Sequence, residues 1–205
     1  MKLHVPFVQL PVQFDAARLL AEIEALGPDR WIDHPQKFPG NFALPLIAVN
    51  GDPTSDAIAG PMRPTPALAE CPYLMQVLHR LGAVWGRTRL MKLSGHAEVT
   101  PHTDLSYYWR ERVRVHVPIR TKPNVRFYCG DTDVNMGRAS AGSSTPGSTT
   151  VSSTAMTTRG FTWSPTAWAA NRSGSWSGTA GRPGMATSRG GRRNSWRRRR
   201  MPRRI

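Results

Sequence analysis

From Ala83 onward the apolar residues of this chain fall at every second position, the side-chain period of a β-strand. The alternation predicts strands over Val84 to Leu93, Glu98 to His102, Arg112 to Arg120 and Val125 to Cys129, with Thr121-Lys122-Pro123-Asn124 as a hairpin turn. The third strand alternates strictly. Val113, Val115, Val117 and Ile119 share one face, and Arg112, Arg114, His116 and Pro118 share the other. Ahead of the strands the period changes. Leu19, Leu20, Ile23 and Leu26 give an apolar stripe at helical spacing; Asp15 is suited to cap its N-terminus, and Gly27-Pro28 ends it. Leu74, Val77, Leu78 and Leu81 predict a second helix over Pro72 to Leu81, stopped by Gly82. Thr65-Pro66 has the form of an N-cap followed by proline at the first helical position. Residues 3–12 read as a short strand, and Trp31 to Gly51 as loop and strand with Leu44, Leu46, Ile47 and Val49 buried. Several short strands with close turns argue for a barrel or jelly roll rather than βαβ units.

Composition divides the chain in two. The net charge of +15 over 205 residues suggests a nucleic-acid or membrane binder until its distribution is counted. Residues 1–137 carry 15 Lys and Arg against all 13 Asp and Glu, whereas residues 138–205 carry 13 Arg and no acidic residue, Lys or His. The first part is an ordinary globular domain; the second is a low-complexity Ser/Gly/Arg-rich tail, expected to be disordered. Arg192-Arg193 and Arg197 to Arg200, with Trp196 between, form a basic patch interleaved with an aromatic, and any nucleic acid bound there is bound nonspecifically. A nonenzymatic nucleic-acid-binding protein acting through that tail is the alternative reading of the whole chain. Cys71 and Cys129 are widely spaced, which suggests neither a disulfide framework nor a zinc site. No segment approaches the ~20 apolar residues that span a bilayer, and Gln9 and the prolines at 6 and 11 interrupt any signal-peptide pattern. The expectation is a cytoplasmic protein with no membrane partner.

The candidate chemistry sits in His102-Thr103-Asp104 and the Arg-rich strand behind it. His-x-Asp offers an imidazole nitrogen and a carboxylate oxygen from neighbouring positions, two of the three ligands of a facial triad for Fe(II). If the valine face packs under helices, the polar face points into a pocket, and Arg114 is a guanidinium fork suited to gripping a carboxylate. A half-exposed strand gives the same alternation. Tyr107, Tyr108 and Trp109 lie beside the candidate metal ligands, either as a packed rim or as a wall that keeps water from the reacting centre. His34, His79 and His96 are expected at the surface.

Taken together, Gly-Arg-Thr-Arg-Leu-Met-Lys-Leu (86–93), Ala97 to Asp104, Tyr107-Tyr108-Trp109, the Arg-rich strand and Val125 to Gly130 resemble the aspartyl/asparaginyl β-hydroxylase family. The resemblance covers roughly residues 30 to 137. It implies a double-stranded β-helix, jelly-roll or cupin-like, with N-terminal helices, and dioxygenase activity with Fe(II) and the co-substrate 2-oxoglutarate. It assigns His102 and Asp104 to the metal and the catalytic centre, and Arg114 with His116 to the 2-oxoglutarate pocket. The reaction so implied hydroxylates an aspartyl, asparaginyl or related substrate while 2-oxoglutarate is converted to succinate and CO2.

The resemblance stops at about residue 137. The family continues with Gly-Glu-x-Trp-x-Phe-Asp, a distal His ligand, and an Arg-Ile-His-Leu-Val strand that helps hold 2-oxoglutarate. Here no His follows His116 and no carboxylate side chain follows Asp133. The domain is therefore expected to be incomplete at its C-terminal end, with activity doubtful. Synonymous codons exist for which Gly142 to Thr154, read from the third nucleotide, give Leu-Phe-Asp-Thr-Trp-Gln-His-His-Arg-Val-Val-Asn. Continued over Ala155 to Asn171, the same shift gives Asp-Asp-Asp-Ala-Arg-Ile-His-Leu-Val-Ala-Asp-Ser-Val-Gly-Gly-Glu. The tail is thus expected to be translated out of frame.

Overall fold

The structure, a computed structural model, describes residues 5–142 apart from 36, 96, 98, 100–101, 104–111, 124 and 139. For 102–103, and for strand segments at 143–144, 149–154, 157–168 and 197–200, it describes the backbone alone. In chain order the elements are β1 (Phe7–Gln13), α1 (Ala16–Ala25), β2 (Ile32–Asp33), β3 (Asn41–Val49), β4 (Met62–Pro64), α2 (Pro66–Ala69) and α3 (Pro72–Leu81). They continue with β5 (Val84–Gly95), β6 (His102–Thr103), β7 (Arg112–Arg120), β8 (Val125–Cys129), β9 (Thr132–Asn135), β10 (Ser140–Ser144), β11 (Thr149–Thr154), β12 (Thr157–Trp168) and β13 (Arg197–Arg200).

The strands form two antiparallel sheets. The larger runs β1-β10-β7-β12-β5-β3-β2 with β4 paired to β3, and the smaller runs β13-β9-β8-β11-β6. Between β5 and β8 consecutive strands alternate between the sheets, and β9 to β13 do so again, which is the double-stranded β-helix implied by the family resemblance and consistent with the barrel or jelly roll read from the strand pattern. The sheets draw on residues beyond 137: β10 lies between β1 and β7, and β12 between β7 and β5.

Helices α1 and α3 cover the outer face of the larger sheet. Leu19 and Ile23 of α1 and Leu74, Val77 and Leu78 of α3 bury against Leu44, Leu46, Leu90, Val115, Val117 and Ile119. The valine face of β7 is thus the face under the helices. A separate cluster of Phe7, Val125, Phe127, Cys129, Val134 and Met136 lines the smaller sheet. On β3 the buried run is Ala43, Leu44, Leu46, Ile47 and Ala48, whereas Val49 is half-buried. The β3–β5 register slips between Pro45 and Ile47, and that irregularity breaks the two-residue period. Strand β6 covers only His102–Thr103 where the alternation predicted Glu98 to His102; residues 98, 100 and 101 lie outside the described set.

The two long helices are tied at their N-termini. Asp15 caps α1 by accepting from the N–H groups of Ala17 and Arg18, and its own N–H donates to Tyr73 Oη at 2.8 Å. Cys71, at the N-cap position of α3, gives no side-chain cap. Glu22 of α1 replaces it: its carboxylate accepts from Tyr73 N at 2.7 Å and Leu74 N at 2.9 Å. Two otherwise orphaned helix donors meet a full negative charge at the positive end of the helix dipole. Gly82 closes α3 in the left-handed conformation at φ 63°, which a side chain at that position would strain. Replacing Glu22 by Ala should cost about 1–2 kcal/mol of folding stability, and Glu22→Gln less. Urea denaturation measures this; an unchanged midpoint for Glu22→Ala would show that the contact carries no stability.

Candidate active site

The interior between the two sheets is built from the faces of β3, β5 and β7 that turn away from the helices. Because Val115, Val117 and Ile119 point to the helices, Arg114 and His116 point the other way. The contact that fixes this orientation is His116 against Phe127 of the smaller sheet, ring centroids 5.3 Å apart. Alternation on β5 does the same. Leu90 packs under the helices, so Arg87, Arg89 and Met91 face the gap. On β3 the residues paired with this face are Asn41, Ala43 and Pro45, opposite Leu93, Met91 and Arg89. Strand β12 links the two arginine-bearing strands: Ser164 pairs with Arg89 and Thr166 with Arg114.

Burial sets the charge states. His116 is buried, and desolvation together with the Arg114 charge lowers its pKa to about 3. Its imidazole is neutral at physiological pH, able to accept at one nitrogen and donate at the other. Arg89 is also largely buried. Desolvation first, then the charges of Arg87 and Arg114, lower its pKa to about 10, partly countered by Asp56, so it stays cationic. Asp56 reaches in from the segment between β3 and β4: its Oδ1 accepts from Arg87 Nη1 at 2.6 Å and Arg89 Nη2 at 2.7 Å. Arg87 Nη1 also donates to the Asp56 carbonyl oxygen at 2.7 Å. Asn41 is buried with neither side-chain atom hydrogen-bonded, an uncompensated amide on the interior wall.

Of the residues expected at the site, Arg114 and His116 share the inward face of β7. For His102 the backbone is described, on β6 opposite Thr150 of β11. Asp104, the Tyr107–Trp109 cluster and His96 lie outside the described residues, as do Arg192, Arg193 and Trp196. Arg197 to Arg200 form β13 along β9, with only their backbone described. His79 is exposed as expected, and His34 stacks on Phe38. Asp133, the last acidic side chain of the sequence, is buried in an ion pair with Arg126. Arg87, Arg89, Asp56 and Asn41 were not singled out as site residues by the sequence reading. The signal for the first two was present in the Arg-Thr-Arg alternation of β5, the same pattern that marked β7.

A small dicarboxylate suits this interior. It offers Arg114 as a fork, a neutral imidazole, and an amide with unmet donors and acceptor. A metal held by a facial triad fits less well. Among the described residues no three His, Cys, Asp or Glu side chains converge, and the sequence offers no His beyond His116 to join His102 and Asp104.

A family model for aspartyl/asparaginyl beta-hydroxylase matches residues 55–141, a segment running from the Asp56 loop through β5 and β7 into β10. Among solved structures the chain is similar to an oxidoreductase of the 2OG-Fe(II) oxygenase family from Burkholderia pseudomallei, with TM-score 0.54 and 15% identity, over 80% of this chain and 85% of that one. It is similar to a prolyl-4-hydroxylase from Pseudomonas putida, with TM-score 0.54 and 12% identity over 80% and 93% of the two chains. A third likeness, with TM-score 0.55 and 8% identity over 80% and 83%, is to a Trichoplax adhaerens prolyl hydroxylase in complex with a hypoxia inducible factor peptide fragment. Identities this low speak for the fold alone. A comparison with curated proteins finds no match. Residues 55–141 thus match the aspartyl/asparaginyl β-hydroxylase family model, and the chain shares the double-stranded β-helix of the 2OG-Fe(II) oxygenases to which it is similar.

Proposed function

We propose that this chain is the 2-oxoglutarate-binding part of an Fe(II)-dependent hydroxylase that acts on an aspartyl, asparaginyl or related substrate. The observation that carries the reading is the inward face of β7, where Arg114 and a neutral His116 look across the gap to Phe127. Arg114 grips a carboxylate of the co-substrate through paired N–H groups. His116 adds a directional hydrogen bond without adding charge. His102 and Asp104 are the metal ligands in this reading. They bring two donors where a facial triad needs three, so no reaction step is assigned to iron in the chain as it stands.

The missing third donor has a specific origin in this proposal: residues from about 138 onward are read out of frame. The strand register supports it. The second His of the shifted string is encoded across the codons of Thr149 and Thr150, and in the backbone Thr150 pairs with His102 and Thr149 with Thr103. A His at that place would stand beside His102. The shifted Arg-Ile-His-Leu-Val falls across Arg159 to Ser164, within β12, between the two strands that carry Arg89 and Arg114. Both shifted strings thus fall on strands paired with those that carry His102, Arg89 and Arg114, which favours this reading.

Two measurements test the reading. Titration calorimetry with 2-oxoglutarate should give a Kd raised about tenfold or more by Arg114→Met, the loss of one charge-assisted contact of roughly 1.5–3 kcal/mol; an unchanged Kd would remove Arg114 from the pocket. Sequencing the gene should reveal a single-nucleotide slip near codon 137, and the chain restored by that one change should bind Fe(II) in anaerobic dialysis about tenfold or more tightly than the 205-residue chain. Failure of every single-nucleotide change to restore the two strings, or equal iron affinity of the two chains, rejects the frame-slip proposal.

A further inference from the structure

The Arg87–Arg89 pair has a geometry that the proposed co-substrate pocket does not use. Both side chains are mostly buried, at 24% and 14% exposure, yet their shared carboxylate partner Asp56 is 54% exposed. Asp56 belongs to no helix or strand; it sits between β3 and β4 in a segment whose residues are largely solvent-facing from Asp52 to Gly60. One carboxylate therefore serves two guanidiniums, leaving that trio with a surplus positive charge. Burying a guanidinium costs solvation, and two of them side by side cost more unless an anion is held between them. An anchored acidic residue of the barrel wall would be the stable solution. The partner present is instead one outer-loop residue: Asp56 Oδ1 accepts from both arginines, and its carbonyl oxygen accepts from Arg87 as well. The other carboxylate oxygen has no bond to either arginine, so the paired fork-to-fork arrangement open to a guanidinium is left unused.

We propose that Arg87 and Arg89 form a second carboxylate subsite, which recognises the substrate, and that Asp56 is a built-in surrogate for the substrate's carboxylate. The proposal rests on the reading of the gap between the sheets as the reaction pocket. The subsite lies on the same inward face as Arg114, reached across β12. A substrate carboxylate enters by displacing Asp56, and its two oxygens make the paired contacts that Oδ1 alone does not. Because Asp56 is tethered, its local concentration at the clamp is of millimolar order, and an incoming carboxylate competes against that. The ligand chemistry is a carboxylate, either at a chain terminus or on an aspartyl side chain.

The experiment compares the full chain with Asp56→Asn, which keeps the size of the side chain and removes its charge. Calorimetric titrations use N-acetylglycine for a terminal carboxylate, N-acetyl-aspartate α-methylamide for a side-chain carboxylate, and N-acetylglycinamide as the neutral control. At least one of the two carboxylates should bind Asp56→Asn about tenfold more tightly than the unaltered chain, which also identifies the source. The neutral control should not discriminate, and Arg89→Met added to Asp56→Asn should abolish the gain. Equal carboxylate binding by the unaltered chain and Asp56→Asn, or a gain that survives Arg89→Met, overturns the proposal and leaves Asp56 as a loop tether. No iron or 2-oxoglutarate is present, so the result is independent of the Arg114 titration. Loss of the clamp effect with Arg114 still required for 2-oxoglutarate rejects the subsite alone.

Discussion

The strict alternation of β7 is the constraint on which the rest of the molecule depends. Its odd-numbered residues, Val113 to Ile119, close the core under α1 and α3, and that burial leaves Arg114 and His116 only one direction to point. A slip of one residue would put valines in the pocket and an arginine under the helices, at a cost of several kcal/mol in lost burial and uncompensated charge. The packing of the core and the chemistry of the interior are therefore fixed by one register. The helices matter to the site through the same strand. The clamp of Glu22 on the start of α3 holds the lid of the core, and the core holds β7.

The interior so defined gathers cations where water is scarce. Arg89, Arg114 and the adjoining Arg87 lie on one face, and His116 responds by giving up its proton rather than adding a further charge. In the unfolded chain this His binds a proton near its ordinary pKa of about 6.5, and in the fold it does not until about pH 3. Unfolding thus takes up a proton as the pH falls below about 6.5, so this group withdraws stability on acidification through that window. Such an interior favours anionic occupants. That preference joins the co-substrate proposal, the Asp56 surrogate and the family model that residues 55–141 match.

Much of this was legible in the sequence because period-two and period-3.6 patterns report packing directly. The limits of α3, β7 and β8 coincide with the predicted spans, and Asp15 and Gly82 act as the caps their residue types suggest. Legibility fails where contacts are distant in the chain. Nothing local to Glu22 shows that it caps a helix starting 50 residues later, or that Asp56 reaches Arg87 and Arg89 across α2 and α3. Val49 was expected in the buried run, yet the register slip after Pro45 leaves it half-buried. Asn41 carries no motif at all; only burial without a partner marks it.

The central claim is that β7 turns His116 into a dry, cationic gap between the sheets, and the protonation state of that one ring tests it most directly. Histidine ring signals followed by NMR from pH 8 to pH 4.5, assigned with His116→Gln, should show the His116 imidazole neutral across the whole range. A His116 ring that takes up its proton with a midpoint near 6.5 would place it in water, and the pocket built around Arg114 would go with it.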